Sequence, residues 1–187
     1  MSSQIITSTA SFEDALTPKS LKTTRFIQFA LMAGALLYAF AIIKIFFYNQ
    51  GTKPSSDDTD SVFTLTITHF IFFGIALMVS RMLSNRIFSP ARLSKFSLAS
   101  DSGAVAQACV TLQRTAIVSR LAALESASFM GLAACIVGAT NGVLDSEPKY
   151  WVNMASTIFL VLFGIMTFPT KENLTAWFER KFVQSPS

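Results

Sequence analysis

The chain has 187 residues, of which 51% are apolar and only 14% charged, with 15 Lys and Arg against 11 Asp and Glu and a mean hydropathy of +0.49. A soluble domain usually carries about a quarter charged residues, and here the apolar excess gathers into four blocks of about 20 residues, each enough to cross ~30 Å of hydrocarbon. Within these residues that leaves no room for a separate soluble catalytic domain, and it excludes collagen-like, coiled-coil and disordered classes.

Residues 1–25 are polar and include Glu13 and Asp14. They read as a tail, not as a signal peptide or an acid-free transit sequence. The first apolar block, 26–47, is interrupted only by Gln28 and Lys44. It is too long for a cleaved signal segment and is expected to be a retained anchor.

The second block, 62–82, opens Val-Phe-Thr-Leu-Thr-Ile-Thr, an alternation that alone would read as a strand. The unbroken run from Phe70 to Val79 decides for helix, because an isolated strand in lipid leaves its backbone N–H and C=O groups unpaired. The connection over 83–103 is basic and Ser-rich. Its Ile87, Phe88, Leu93, Phe96 and Leu98 could rest on acyl chains while Arg86, Arg92 and Lys95 meet headgroups, or the whole segment could be a solvated loop.

From Asp101 the pattern becomes helical, with Ser100, Asp101 or Ser102 as the candidate cap. We read one helix of nearly 40 residues whose second part, 117–143, is the third span. This span is the least apolar and contains Arg120 and Glu125. The fourth block, 151–168, stops at Pro169, which cannot continue the helical ladder. A short amphipathic helix is expected over 170–183, capped by Thr170, with Leu174, Trp177, Phe178 and Phe182 on one face and Glu172, Thr175, Glu179 and Arg180 opposite. It could lie in the membrane interface or pack beneath the spans. Tyr150 and Trp151, together with Trp177 and Phe178, are the expected interfacial anchors.

The basic residues are distributed one-sidedly. Lys19, Lys22 and Arg25 precede the first span. Arg81, Arg86, Arg92, Lys95, Arg114 and Arg120 lie between the second and the buried part of the third, and Lys171, Arg180 and Lys181 follow the fourth. The other two connections have Lys53 and Lys149, with Lys44 able to snorkel towards them, and they carry Asp57, Asp58, Asp60, Asp145 and Glu147. The positive-inside rule then places both termini in the cytoplasm. The expected fold is therefore all-α: an integral membrane four-helix bundle of two antiparallel hairpins, N-in and C-in, forming a single membrane domain with a C-terminal interfacial helix.

Three features bear on function. Glu125 falls about 7 residues, or ~10 Å, inside the boundary of the third span, where a carboxylate must be protonated, paired or met by water. It is the ion-carrying candidate. Ala123, Ala127, Gly131, Cys135 and Ala139 recur at i, i+4 on the same helix, a small-residue stripe that admits a close neighbour. Glu125 lies about 200° round from that stripe, so the two should face different neighbours. His69, the one histidine, sits inside the second span as a candidate proton relay or axial haem ligand, or as a side chain hydrogen-bonded to a neighbour. Cys109 and Cys135 are about 39 Å apart along one helix and cannot pair.

The run Glu125-Ser-Ala-Ser-Phe-Met-Gly131-Leu132, followed by Ala133 to Val137, resembles the carboxylate helix of the proteolipid (c-type) subunits of rotary ATPases. That helix has Glu, five residues, then Gly preceded by an aromatic or aliphatic residue, and it runs outward from a basic cytoplasmic loop. The resemblance implies that Glu125 carries a proton or sodium ion. It covers residues 125–138; the family's glycine-rich partner helix has no counterpart, the second block holding Gly74 alone.

No HExxH, G-x-S-x-G or P-loop is present, nor a pair of intramembrane aspartates. The expectation is a non-catalytic accessory or scaffold subunit of a membrane complex or homo-oligomer, in a bacterial-type inner membrane. Its partners would be the lipid bilayer and other membrane subunits or copies of itself, with no cofactor and no nucleic acid. The alternatives are a proton- or cation-coupled carrier or channel element using Glu125, and a haem- or pigment-binding subunit using His69.

Overall fold

A computed structural model describes residues 8–88 and 102–180, all in helices and their connections, with no strand among them. The order is α1 (Thr9–Ala15), α2 (Pro18–Tyr48), α3 (Ser56–Ile87), α4 (Ser102–Thr140), α5 (Val143–Ser146), a 3-10 helix (Pro148–Met154), α6 (Ala155–Met166) and α7 (Lys171–Phe178). Four helical stretches are long and apolar enough to cross a membrane: α2, α3, α4, and the 3-10 helix joined to α6. The first two contain the blocks 26–47 and 62–82, and the other two overlap most of 117–143 and 151–168.

Local chemistry explains where the helices start. The Thr17 hydroxyl accepts the Ser20 N–H at 3.2 Å, and Pro18, which has no N–H to leave unpaired, takes the first position of α2. At the start of α3, the Ser55 hydroxyl accepts the Asp58 N–H at 3.2 Å. Asp58 in turn accepts the Ser55 N–H at 3.0 Å, a reciprocal capping box. The Thr-rich opening of α3 is helical because its hydroxyls stay inside the helix: Thr64, Thr66 and Thr68 donate to the carbonyls of Asp60, Val62 and Thr64 at 2.9, 2.7 and 2.9 Å. For α4, the capping candidates Ser100 and Asp101 lie outside the described residues, as do Arg92, Leu93, Lys95, Phe96 and Leu98 of the connection and Lys181 and Phe182 of the C-terminus.

Three expectations are revised. α4 ends at Thr140, short of the expected 143, because Gly142 turns the chain at φ +75° and the Thr52 carbonyl oxygen lies 2.2 Å from where a Cβ would stand. Only glycine fits both conditions. The fourth span is not uniformly α-helical. Its seven-residue 3-10 part and twelve-residue α6 rise together by about 32 Å, so the tighter 3-10 winding lets 19 residues cover a bilayer's depth. Residues 9–15, expected within a polar tail, form α1, capped by the Ser8 hydroxyl accepting the Ser11 N–H at 3.1 Å.

The chain divides into two compact units. Among the described residues the first comprises 8–28, 81–88, 102–120 and 167–180. Its core is Phe12, Leu16, Val105, Cys109, Val110, Leu174 and Phe178. Phe12 and Phe178 are both fully buried and stack with ring centroids 4.2 Å apart. The second unit is Phe29–Ser80 with Leu121–Met166, and its interior contains a set of bonded polar side chains.

Candidate functional site

The second unit places His69 of α3, fully buried, against the 3-10 helix and the start of α6. Its Nδ1 is 3.0 Å from Asn153 Oδ1 and its Nε2 is 2.9 Å from Ser156 Oγ. Asn153 uses its amide nitrogen to donate to Thr66 Oγ1 and to the Tyr150 carbonyl, both at 2.9 Å. The Asn153 oxygen therefore faces the imidazole and must accept, which puts a proton on His69 Nδ1; in the neutral ring Nε2 then accepts from the Ser156 hydroxyl. Asn153 and Ser156 are as fully buried as His69.

Gly131 of α4 makes this possible. A Cβ there would stand 2.2 Å from the Asn153 carbonyl oxygen and 2.8 Å from His69 Nε2. The small-residue stripe is thus used inside the chain: Ala127, Gly131, Cys135 and Ala139 are buried, and Ala123 is half-buried. The Ser156 hydroxyl also lies 3.4 Å from the Ala127 carbonyl. Beside this cluster, Ser128 Oγ and Thr157 Oγ1 share a hydrogen bond of 2.7 Å, tying α4 to α6 a second time.

The arrangement is a nucleophile, base and orienting amide in hydrogen-bond contact, the relation used in acyl-transfer sites. Here its chemistry is different. The hydroxyl, imidazole and amide are all sealed from solvent, and both ring nitrogens are engaged by the protein. A haem iron would have to displace Asn153 or Ser156 to reach a nitrogen. What the geometry does directly is lock three elements together where backbone carbonyls and side-chain dipoles have no water to turn to.

Glu125 lies on another face of α4, as the sequence reading expected. It is half-buried, and its Oε1 is 3.7 Å from the position of a Cβ at Gly34 of α2. Among the described residues it has no hydrogen bond or ion pair, and the missing side chain at Gly34 makes room for the carboxylate. Glu125 and Gly131 are six residues apart, a rise of about 9 Å, so the carboxylate and the His69 cluster occupy different levels of α4. Among the described residues no three or more His, Cys, Asp or Glu side chains gather as a metal-binding group.

The expected anchors divide. Trp151 and Trp177 are partly exposed, but Tyr150 is only 4% exposed and Phe178 0%, so neither has a face to give to lipid headgroups. Phe178 is covered by Phe12. Thr175, expected on the polar side of α7, is also buried, next to Leu174 of the first unit's core, while Lys171, Glu172, Asn173 and Ala176 stay exposed.

The sequence reading missed Asn153 and Ser156 as partners of His69, Thr66 as a partner of Asn153, and Gly34 as the neighbour of Glu125. The signal for the first two was present: Asn153 and Ser156 are polar residues three apart in an apolar block, which puts them on one helical face. Compared with known protein families, with curated proteins and with solved structures, the chain matches none. Four apolar helices in an all-helical chain are consistent with a multi-pass membrane protein.

Proposed function

We propose that the chain is a non-catalytic, multi-pass membrane subunit that packs in a membrane complex or with copies of itself. The observation that carries this reading is the engagement of both His69 nitrogens by Asn153 and Ser156, which makes the most polar part of the membrane unit a fastening. The small-residue stripe supports the chain's own packing, so contacts with partners fall to surfaces other than that stripe. The distribution of Lys and Arg supports a topology with both termini and the connection between the second and third spans on the cytoplasmic side of a bacterial-type inner membrane. Purification from native membranes in mild detergent, followed by mass measurement, tests the reading. A particle larger than one 20.4 kDa chain, with fixed stoichiometry, is expected; a bare monomer co-purifying with no protein would overturn it.

A second reading rests on the Glu125 carboxylate, which meets Gly34 without a bonded partner among the described residues. In that reading Glu125 carries a proton or cation between protonated and ionised states. Ion flux in proteoliposomes that disappears in Glu125→Gln, with assembly unchanged, is its expected signature. No flux in the parent protein would sink it.

A further inference from the structure

Helix α2 meets the fourth span at two levels. At one level Phe46 meets Trp151 of the 3-10 helix that precedes α6, with ring centroids 5.2 Å apart. At the other, Gly164 lies so close to Met32 that a Cβ would stand 2.2 Å from its sulfur. Two adjoining cavities of about 450 and 400 Å³ lie along these helices and share Leu36 and Val161 as walls, the smaller one reaching past Met32 to Phe29. Leu36, Phe40 and Ile43 of α2 and Ile158 and Leu162 of α6 line the larger. The lining atoms are almost wholly apolar, and Thr157, which also borders the larger cavity, has its hydroxyl bonded to Ser128.

From Phe29 to Ile43 the groove follows α2 for about 21 Å, which is the reach of an extended fatty acyl chain. Its walls are bulky and irregular. A transmembrane helix approaches closely over Gly, Ala and Ser, and this chain uses its regular small-residue stripe internally on α4. A flexible acyl chain can follow such walls. At the C-terminal end of α2 the Lys44 ammonium lies 5.2 Å from the centre of the Phe40 ring, itself a wall of the groove. Among the described residues Lys44 has no carboxylate partner. A cation at the mouth of an apolar slot is complementary to one molecule that joins an acyl chain to a phosphate.

We propose that the α2–α6 groove is a binding site for a single membrane phospholipid, with an acyl chain between Leu36, Phe40, Ile158 and Leu162 and the phosphate on Lys44. The site is independent of the function proposed above and requires only that these helices lie in a bilayer. The test reconstitutes the full chain into vesicles of phosphatidylethanolamine and phosphatidylglycerol containing a phospholipid with a photoreactive acyl chain, and maps the labelled residues. Labelling concentrated on the groove residues is expected, with a several-fold fall in Ile158→Trp, which fills the slot. Lys44→Glu should lower it comparably, and Lys44→Arg should retain it.

Native mass spectrometry of the parent protein should show one phospholipid held after detergent exchange. Equal labelling of the groove and of exposed α3 residues such as Ile71 and Met78, unaffected by the variants, would overturn the proposal. So would cross-links between two chains at the groove in place of lipid.

Discussion

The two units of this chain are held together by opposite means. The first packs Phe12, Leu16, Val105, Leu174 and Phe178 into an apolar core. The second exposes its large apolar residues, Leu37, Ile71 and Ile165 among them, and buries His69, Asn153, Ser156, Ser128 and Thr157. The difference matches the demands of two solvents, water and lipid. Burying a phenylalanine from water is worth kilocalories, whereas lipid is as apolar as leucine and rewards close packing and hydrogen bonds instead. One chain therefore uses aromatic stacking in one unit and glycine contacts with a polar cluster in the other.

Substitutions that exchange these strategies test the contrast. Phe12→Ala, which deletes a fully buried stacked ring, should cost about 3–5 kcal/mol in the first unit. Hydrogen exchange should show faster amides in α1 and α7 and unchanged amides around residue 131; equal acceleration in both units would break the comparison. Asn153→Leu keeps the bulk but leaves the His69 Nδ1–H without its acceptor, a loss of about 1–3 kcal/mol. Thermal unfolding in detergent should register that loss, and a neutral Leu variant would show that the polar cluster is dispensable.

A smaller effect depends on pH. The Asp58 carboxyl, outside the apolar stretch of α3, is held below its ordinary value first by the Ser55 hydroxyl and backbone N–H, with the Asn141 amide adding at 2.7 Å. Its folded value is depressed, so its stabilisation is present above the ordinary carboxyl range and is lost as pH falls through the lowered value. Amides in the first turn of α3 should exchange faster on acidification, and Asp58→Asn should flatten that dependence. The least effect is expected from Lys171→Ala. This residue pairs with Glu13 at 3.1 Å, but the side chains are 48% and 38% exposed, and such pairs contribute less than about 1 kcal/mol.

The four spans were legible because twenty apolar residues in a row have few uses other than crossing a bilayer. The separation of Glu125 from the small stripe was legible too, since helical geometry places them on different faces. The His69 cluster was legible only in part: Asn153 and Ser156 share one helical face, but they lie 84 and 87 residues from His69 and nothing local announces that pairing. The first unit's core was not legible. Phe12 is one aromatic in a polar stretch, and its burial depends on Phe178 at the other end of the chain. The 3-10 start of the fourth span has a local cue in Pro148, which cannot donate a backbone hydrogen bond, but the register of that winding is set by what Gly131 and His69 require of Asn153.

The central claim is that the second unit's polar core is a closed fastening in which His69 is fully engaged. The chain has one histidine, so a nitrogen-15 spectrum of imidazole-labelled protein in bilayers reports on it without ambiguity. The account predicts a single neutral tautomer with the proton on Nδ1, exchanging slowly with solvent and converted to a rapidly exchanging form by Asn153→Leu. A proton on Nε2, or a ring that exchanges freely in the parent protein, would contradict it.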